Sequence, residues 1–195
     1  MPYILDYSWD KRVEYVIHHF YDIDNNGFLD QKDFECMAVR ACVIEGKGDC
    51  SASRLSQYQH VMRSLWDEIS ELADFDKDGK ITTEEFKDAV KRTCMGKKYD
   101  EFPQAMKAFI EATFKMIDLN GDGVLSNEEF RYNCITRIVV DDVTSIDEAY
   151  KNLLNDDDRK KGGLTLARYK ELYAQYLGNP EDKHQAIYLF GPLDA

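Results

Sequence analysis

DFDKDGKITTEE, Asp74 to Glu85, has Asp at its first, third and fifth places, Gly at its sixth and Glu at its twelfth. The same frame recurs upstream as DIDNNGFLDQKD, Asp22 to Asp33, and downstream as DLNGDGVLSNEE, Asp118 to Glu129. Each copy follows a stretch with apolar residues at helical spacing and is itself followed by Phe: Phe34, Phe86 and Phe130. One such frame can arise by accident in an acidic turn. Three in phase mark loops built to hold divalent cations between helices.

A hard cation such as Ca²⁺ takes about six to eight oxygens, so a short loop must curl until alternate side chains and one carbonyl converge. This is the EF-hand pattern. In the first loop the ligands are expected to be Asp22, Asp24, Asn26, the carbonyl of Phe28 and Asp33. In the second they are Asp74, Asp76, Asp78, the carbonyl of Lys80 and Glu85, and in the third Asp118, Asn120, Asp122, the carbonyl of Val124 and Glu129. Gly27, Gly79 and Gly123 take the sharp turn that needs positive φ. Leu29, Ile81 and Leu125, at place eight, are expected to form the β-bridge that couples paired loops. Thr82 with Glu85 and Ser126 with Glu129 read as capping boxes that start the exit helices.

Aligning Tyr169 with the three phenylalanines reveals a fourth loop, Asp157 to Arg168, with Gly162 at place six and Leu164 at place eight. Arg159, Lys161 and Arg168 replace oxygen ligands, so three like charges are expected to crowd the space of a cation and the hand to bind nothing. Asp156, Asp157 and Asp158 are expected to form a solvated helix end.

At 195 residues, 44% hydrophobic, the chain suits four helix–loop–helix units. The fold class is therefore all-α, with four EF-hands in two packed pairs and a degenerate fourth loop. The expected division is a pair of hands over 1–95, a linker over 96–104 (Gly96 to Pro103 is too broken for a long central helix), a second pair over 105–178 and a docked C-terminal segment over 179–195. The first helix is expected to begin at Ser8, a long one at Ser51 or Ser53, and Ser145 with Glu148 to cap the helix that enters the fourth hand.

A net charge of −12 with no basic cluster argues against nucleic acid. No apolar run would span a bilayer, no signal peptide is evident, and Pro2 excludes N-myristoylation, so a soluble cytoplasmic protein with no membrane partner is expected. Cys36, Cys42, Cys50, Cys94 and Cys134 show no paired spacing and read as reduced thiols. His18, His19, His60 and His184 lie outside the loops and match no catalytic pattern, and no enzyme is expected.

Beyond the loops, YSWDKRVEYV, GKKYDEFP, DDRKKGGLTLARYKELYAQYL and the closing LFGPL resemble the invertebrate sarcoplasmic calcium-binding proteins, most closely the arthropod form. That resemblance runs nearly end to end. It implies a muscle protein that buffers Ca²⁺ at three sites with Mg²⁺ competing, has no obligate target protein, forms homodimers, and in arthropods acts as a food allergen.

Two other functions compete with the buffer. A sensor exposes a Met-rich groove on binding Ca²⁺, whereas this chain has six scattered Met and a short linker. Ca²⁺-triggered photoproteins of the coelenterazine type enclose a luciferin among His, Trp and Tyr, but they resemble a pattern with the second loop lost and a C-terminal Pro; here the fourth is lost and Pro192 is internal. Asp33, one methylene shorter than Glu, is expected to make the first site the most tolerant of Mg²⁺, with Asp30 adding a nearby carboxylate. The third site, with neutral Asn120, is expected to be the weaker of the two Glu-closed sites.

Overall fold

The computed structural model describes residues 7–139 and 142–193. Pro2 and the last two residues of the C-terminal segment lie outside them. The regular structure of the described residues is helical apart from four two-residue strands. In order these elements are α1 (Trp9–Val16), β1 (Phe28–Leu29), α2 (Gln31–Glu45), α3 (Ala52–Ala73), β2 (Ile81–Thr82), α4 (Thr83–Thr93), α5 (Gln104–Ile117), β3 (Val124–Leu125), α6 (Asn127–Ile135), α7 (Val143–Leu153), α8 (Asp156–Lys161), β4 (Leu164–Thr165) and α9 (Leu166–Gly178). A wide π turn, Ile17–Tyr21, carries α1 into the first loop, and a 3₁₀ turn at Gln185–Tyr188 follows α9.

The strands define the pairing of hands. β1 and β2 are antiparallel with Leu29 opposite Ile81, and β3 and β4 with Leu125 opposite Leu164. Place eight therefore meets place eight in both pairs, including the degenerate loop. These four side chains are at most 1% exposed, so a slip of register would drive an apolar residue into water.

Most helix starts follow the predicted caps. Ser51 Oγ accepts from Arg54 N, and Thr82 and Ser126 each form a full capping box with the carboxylate three residues on. One start differs. α7 is capped by Asp142, which accepts from Thr144 N, while Ser145 Oγ donates to the Asp142 carbonyl. An extended Asp just ahead of the apolar stripe takes the cap before the later Ser145-x-x-Glu148 pattern can.

The two halves pack directly on each other. Trp9 Nε1 donates to the Leu177 carbonyl at 2.7 Å, and the Tyr21 and Tyr173 hydroxyls share a bond at 2.8 Å. Residues 179–193 lie over this seam, burying Ala186, Ile187, Leu189 and Phe190. Phe190 meets the rings of Phe20, Tyr173 and Tyr176.

Arg12 ties that segment to the first helix. Fully buried, it donates Nη1 to the Glu181 carbonyl and to His184 Nε2, and Nη2 to the Asn179 carbonyl. Both terminal nitrogens are engaged by carbonyls and a neutral imidazole, with only Nε left without a partner, and this leaves the segment little freedom to leave.

The cysteine expectation fails at one pair. Cys42 and Cys50 are joined as a disulfide with Cα atoms 5.5 Å apart, because the tight turn through Lys47 and Gly48, both at positive φ, folds α3 back along α2. Cys94 and Cys134 are buried and free, and burial pushes their thiols up to about 11 and about 12, which makes them inert. Cys36 is free and exposed.

His184 generates a pH dependence. Burial first, and the Arg12 charge second, lower its pKa to about 4 from 6.5. The unfolded chain thus takes up a proton that the folded chain refuses, so stability is lost as pH falls from about 6.5 toward 4. Because the ring is only half-buried, the expected loss between pH 7 and pH 5 is on the order of 1 kcal/mol. Thermal unfolding of the native protein should therefore shift more over that range than that of His184→Gln; other titrations are common to both and cancel. Equal shifts would contradict the assignment.

Candidate metal centres

Each acidic loop is shaped by its own side chains before any ion is considered. The place-one carboxylate accepts from the backbone N–H of places five and six: Asp22 from Asn26 and Gly27, Asp74 from Asp78 and Gly79, Asp118 from Asp122 and Gly123, at 2.9–3.2 Å. Place three accepts from the N–H of place five, and place five from that of place seven, in all three loops. One carboxylate or amide oxygen after another is thereby turned to the concave side. Gly27, Gly79 and Gly123 sit at φ of +90°, +82° and +83°, the left-handed region the turn requires.

The loops differ in how place twelve closes them. Asp33 is buried and bridges the first loop: Oδ1 accepts from Ile23 N and Oδ2 from Asp30 N, both at 2.9 Å. Its oxygens converge with those of Asp22 and Asp24 to within 4.8 Å of one another. Burial raises the Asp33 pKa, its two backbone donors lower it, and Asp24 and Asp22 raise it again. Among the described residues that crowd of negative charge has no cationic partner. In the third loop Glu129 makes the same bridge, with Oε1 accepting from Leu119 N and Asn120 N and Oε2 from Ser126.

In the second loop Asp74, Asp76 and Asp78 converge within 4.8 Å, but Glu85 is not among them. Its Oε2 accepts from the Thr82 N–H and hydroxyl instead, at its own helix start. In the third loop Asn120 replaces an acid, and its amide nitrogen donates to Asp122 at 2.9 Å. Phe28 and Val124 lie in β1 and β3, and Lys80 just before β2, with the Lys80 ammonium over the Phe28 ring at 4.3 Å.

Among the described residues no Lys, Arg or His pairs with a carboxylate at a ligand place of these three hands; Lys87 reaches Glu84, at place eleven of the second loop, at 3.2 Å. The donor set is all oxygen, arranged on backbone that is already satisfied. Such a set fits a hard divalent cation and suits neither zinc nor copper.

The fourth hand is closed by its own cation. Arg168, at place twelve, brings Nε to 3.2 Å from Asp158 Oδ2, with the two side chains 13% and 4% exposed. Its other nitrogens reach Glu171 and Gln185 at 2.8 and 2.9 Å. This corrects two expectations. Asp158 is buried as the third residue of α8, in a capping box with Asn155, so only Asp156 and Asp157 are solvated. The three cations also do not crowd together: α8 winds where a metal loop would uncurl, Arg159 turns out to the Lys151 carbonyl, and Lys161 is exposed. Counting like charges missed this because Asp158 stands at place two, outside the ligand frame. Gly163 is fixed here too: a Cβ on it would lie 2.1 Å from the Leu125 carbonyl oxygen.

Arg168→Met should leave the buried Asp158 carboxylate without its cationic partner, held only by the Asn155 N–H, and destabilise the protein by about 2–4 kcal/mol. Adding Asp158→Asn should recover part of the loss. Urea unfolding of the single and double variants checks this; a single variant within 0.5 kcal/mol of the parent, on the scale of an exposed pair, would contradict it.

An EF-hand domain pair is matched over residues 71–135, from the end of α3 to the end of α6. The chain is 57% identical over 187 residues to the sarcoplasmic calcium-binding protein alpha chain of Penaeus vannamei, covering 96% of this chain and 97% of that one. Among solved structures, the sarcoplasmic calcium-binding protein of amphioxus superposes with a TM-score of 0.78 at 26% identity, over 95% of this chain and 98% of that one. Calcium-loaded apo-aequorin from Aequorea victoria shares the fold at a TM-score of 0.65 and 14% identity, over 90% of this chain and 93% of that one. The chain belongs to the sarcoplasmic calcium-binding protein family.

Proposed function

We propose that this protein is a cytoplasmic Ca²⁺ buffer of muscle sarcoplasm, not an enzyme, with three sites open to competition by Mg²⁺. The observation that carries this reading is the contrast among the loops: three repeat one oxygen-lined backbone geometry, and the fourth is filled by Arg168 and Asp158. The ligands are Asp22, Asp24, Asn26, the Phe28 carbonyl and Asp33; Asp74, Asp76, Asp78, the Lys80 carbonyl and Glu85; and Asp118, Asn120, Asp122, the Val124 carbonyl and Glu129. The proposed division is a pair of hands over 1–95, a linker over 96–104, a second pair over 105–178 and a C-terminal segment over 179–195, whose described part, to 193, lies over the seam. Glu85 must turn from its cap toward the ion, so the second site closes on binding. The relatives' name, sarcoplasmic calcium-binding protein, supports both the ion and the compartment.

Buffering is favoured over sensing because Met37, Met62, Met106 and Met116 are buried, leaving no Met-rich surface for a target helix among the described residues. The luminescent alternative has only a shared fold behind it.

A homodimer is supported by where apolar surface remains. Val39 and Val43 on α2 and Tyr132, Ile135, Val139 and Val143 on and after α6 are exposed, and Arg40 reaches across to the Thr136 carbonyl between them. A second copy would cover this patch. Sedimentation at micromolar concentration should show a dimer that Ile135→Lys weakens; a monomeric parent would contradict it.

Calorimetric titration should count three Ca²⁺ ions, with millimolar Mg²⁺ weakening the first site most. Asp33→Glu should raise Ca²⁺ affinity relative to Mg²⁺ at that site, since the longer side chain reaches the ion with both oxygens. A stoichiometry of four, or an unchanged ion ratio in the variant, would contradict the respective claim.

A further inference from the structure

The disulfide at the turn between α2 and α3 joins two unlike sulfurs. Cys42 is fully buried near the end of α2, with Sγ 3.9 Å from the Ser51 carbonyl, whereas Cys50 is exposed. Cys50 stands one residue ahead of Ser51, the N-cap of the 22-residue helix α3. The positive end of a helix favours thiolate over thiol, so a reduced Cys50 is an accessible nucleophile. Cys94 and Cys134, free but buried, have no such access.

The turn that brings the two together is held by contacts other than the S–S bond. Gly48 N donates to the Val43 carbonyl at 2.9 Å, and Asp49 N to the Gly46 carbonyl at 3.0 Å. Arg54 spans the turn, with Nη1 donating to the Asp49 carbonyl at 2.9 Å and Nε lying 3.2 Å from Glu45. Gly46 is fixed as well, because a Cβ there would overlap the Asp49 carbonyl. Eight residues apart in sequence, the sulfurs are therefore kept within reach of each other whether bonded or not, which gives the closing thiol a high effective concentration.

We propose that Cys42 and Cys50 form a reversible redox site that exchanges with a small thiol and its disulfide, glutathione being the probe. In oxidation the Cys50 thiolate attacks glutathione disulfide, forming a Cys50–glutathione bond and releasing one glutathione thiolate. Cys42 then gives up its proton and attacks Cys50 Sγ: the Cys42–Cys50 bond forms, the Cys50–glutathione bond breaks and the second glutathione leaves. Two protein thiols are oxidised, one glutathione disulfide is reduced to two thiols, and the two protein protons pass to them. Reduction runs back through the same mixed disulfide, with glutathione attacking the exposed Cys50 sulfur. The site lies outside the metal loops, and its chemistry does not rest on the buffering function.

The test is equilibration of the full-length, Ca²⁺-loaded protein in glutathione buffers of varied ratio, followed by acid quenching, unfolding, alkylation and mass spectrometry. Of the five cysteines, all should be alkylated at the reducing end and only Cys36, Cys94 and Cys134 at the oxidising end, with unchanged helical circular dichroism in both states. Peptide mapping assigns the roles. Cys42→Ala, treated with glutathione disulfide, should retain an adduct on Cys50, whereas Cys50→Ala should form one on Cys42 at least about tenfold more slowly, because that sulfur is buried. A Cys42–Cys50 bond that persists in about 10 mM reduced glutathione, loss of helical signal on reduction, or equal adduct formation at the two sulfurs would overturn the proposal.

Discussion

Two backbone bridges, Leu29 with Ile81 and Leu125 with Leu164, set the position of everything else. Each seats one acidic loop beside another and fixes the angle at which four helices leave. A bridge needs two strands, so a lone loop cannot supply it. The third loop therefore requires a folded fourth hand whether or not that hand holds metal. Arg168 and Asp158 keep it folded, Gly163 lets its backbone approach Leu125, and the Tyr150 hydroxyl donates to that same Leu125 carbonyl at 2.7 Å. The degenerate hand is thus a scaffold for its neighbour, with an internal cation in place of an exchangeable one.

The second constraint lies at the seam. Helix α1 is held to α9 by Trp9 and by the Tyr176 hydroxyl, which donates to the Arg12 carbonyl, and to residues 179–184 by Arg12 itself. Gly96 N donates to the Gly178 carbonyl, so the segment between the halves is also pinned. A hand that opened as a sensor does would have to break these contacts and expose the aromatic cluster around Phe190. Closure is built into the same residues that bury the core.

The loops were legible in the sequence because their chemistry is local: ligands two residues apart and Gly at place six dictate the curl within twelve residues. The register of the dead hand was legible for the same reason, through Gly162, Leu164 and Tyr169. Long-range partners were not. Nothing near Arg12 in sequence points to Asn179, Glu181 and His184, and nothing near Arg168 singles out Asp158 from the acids beside it. Cys42 and Cys50 pair only once the turn at Gly48 brings α3 back on α2, which spacing alone does not encode. The cap of α7 was misplaced because two acceptors, Asp142 and Ser145, compete within one turn, and the earlier one wins.

In the buffer reading, cation binding tightens a closed fold. An apolar fluorescent dye, added to the protein with and without Ca²⁺, tests it most directly. Dye fluorescence should be weaker with Ca²⁺ than without it, since the ordered hands bury their helix faces. A Ca²⁺-dependent rise in dye binding, the mark of a groove opening for a target, would contradict it.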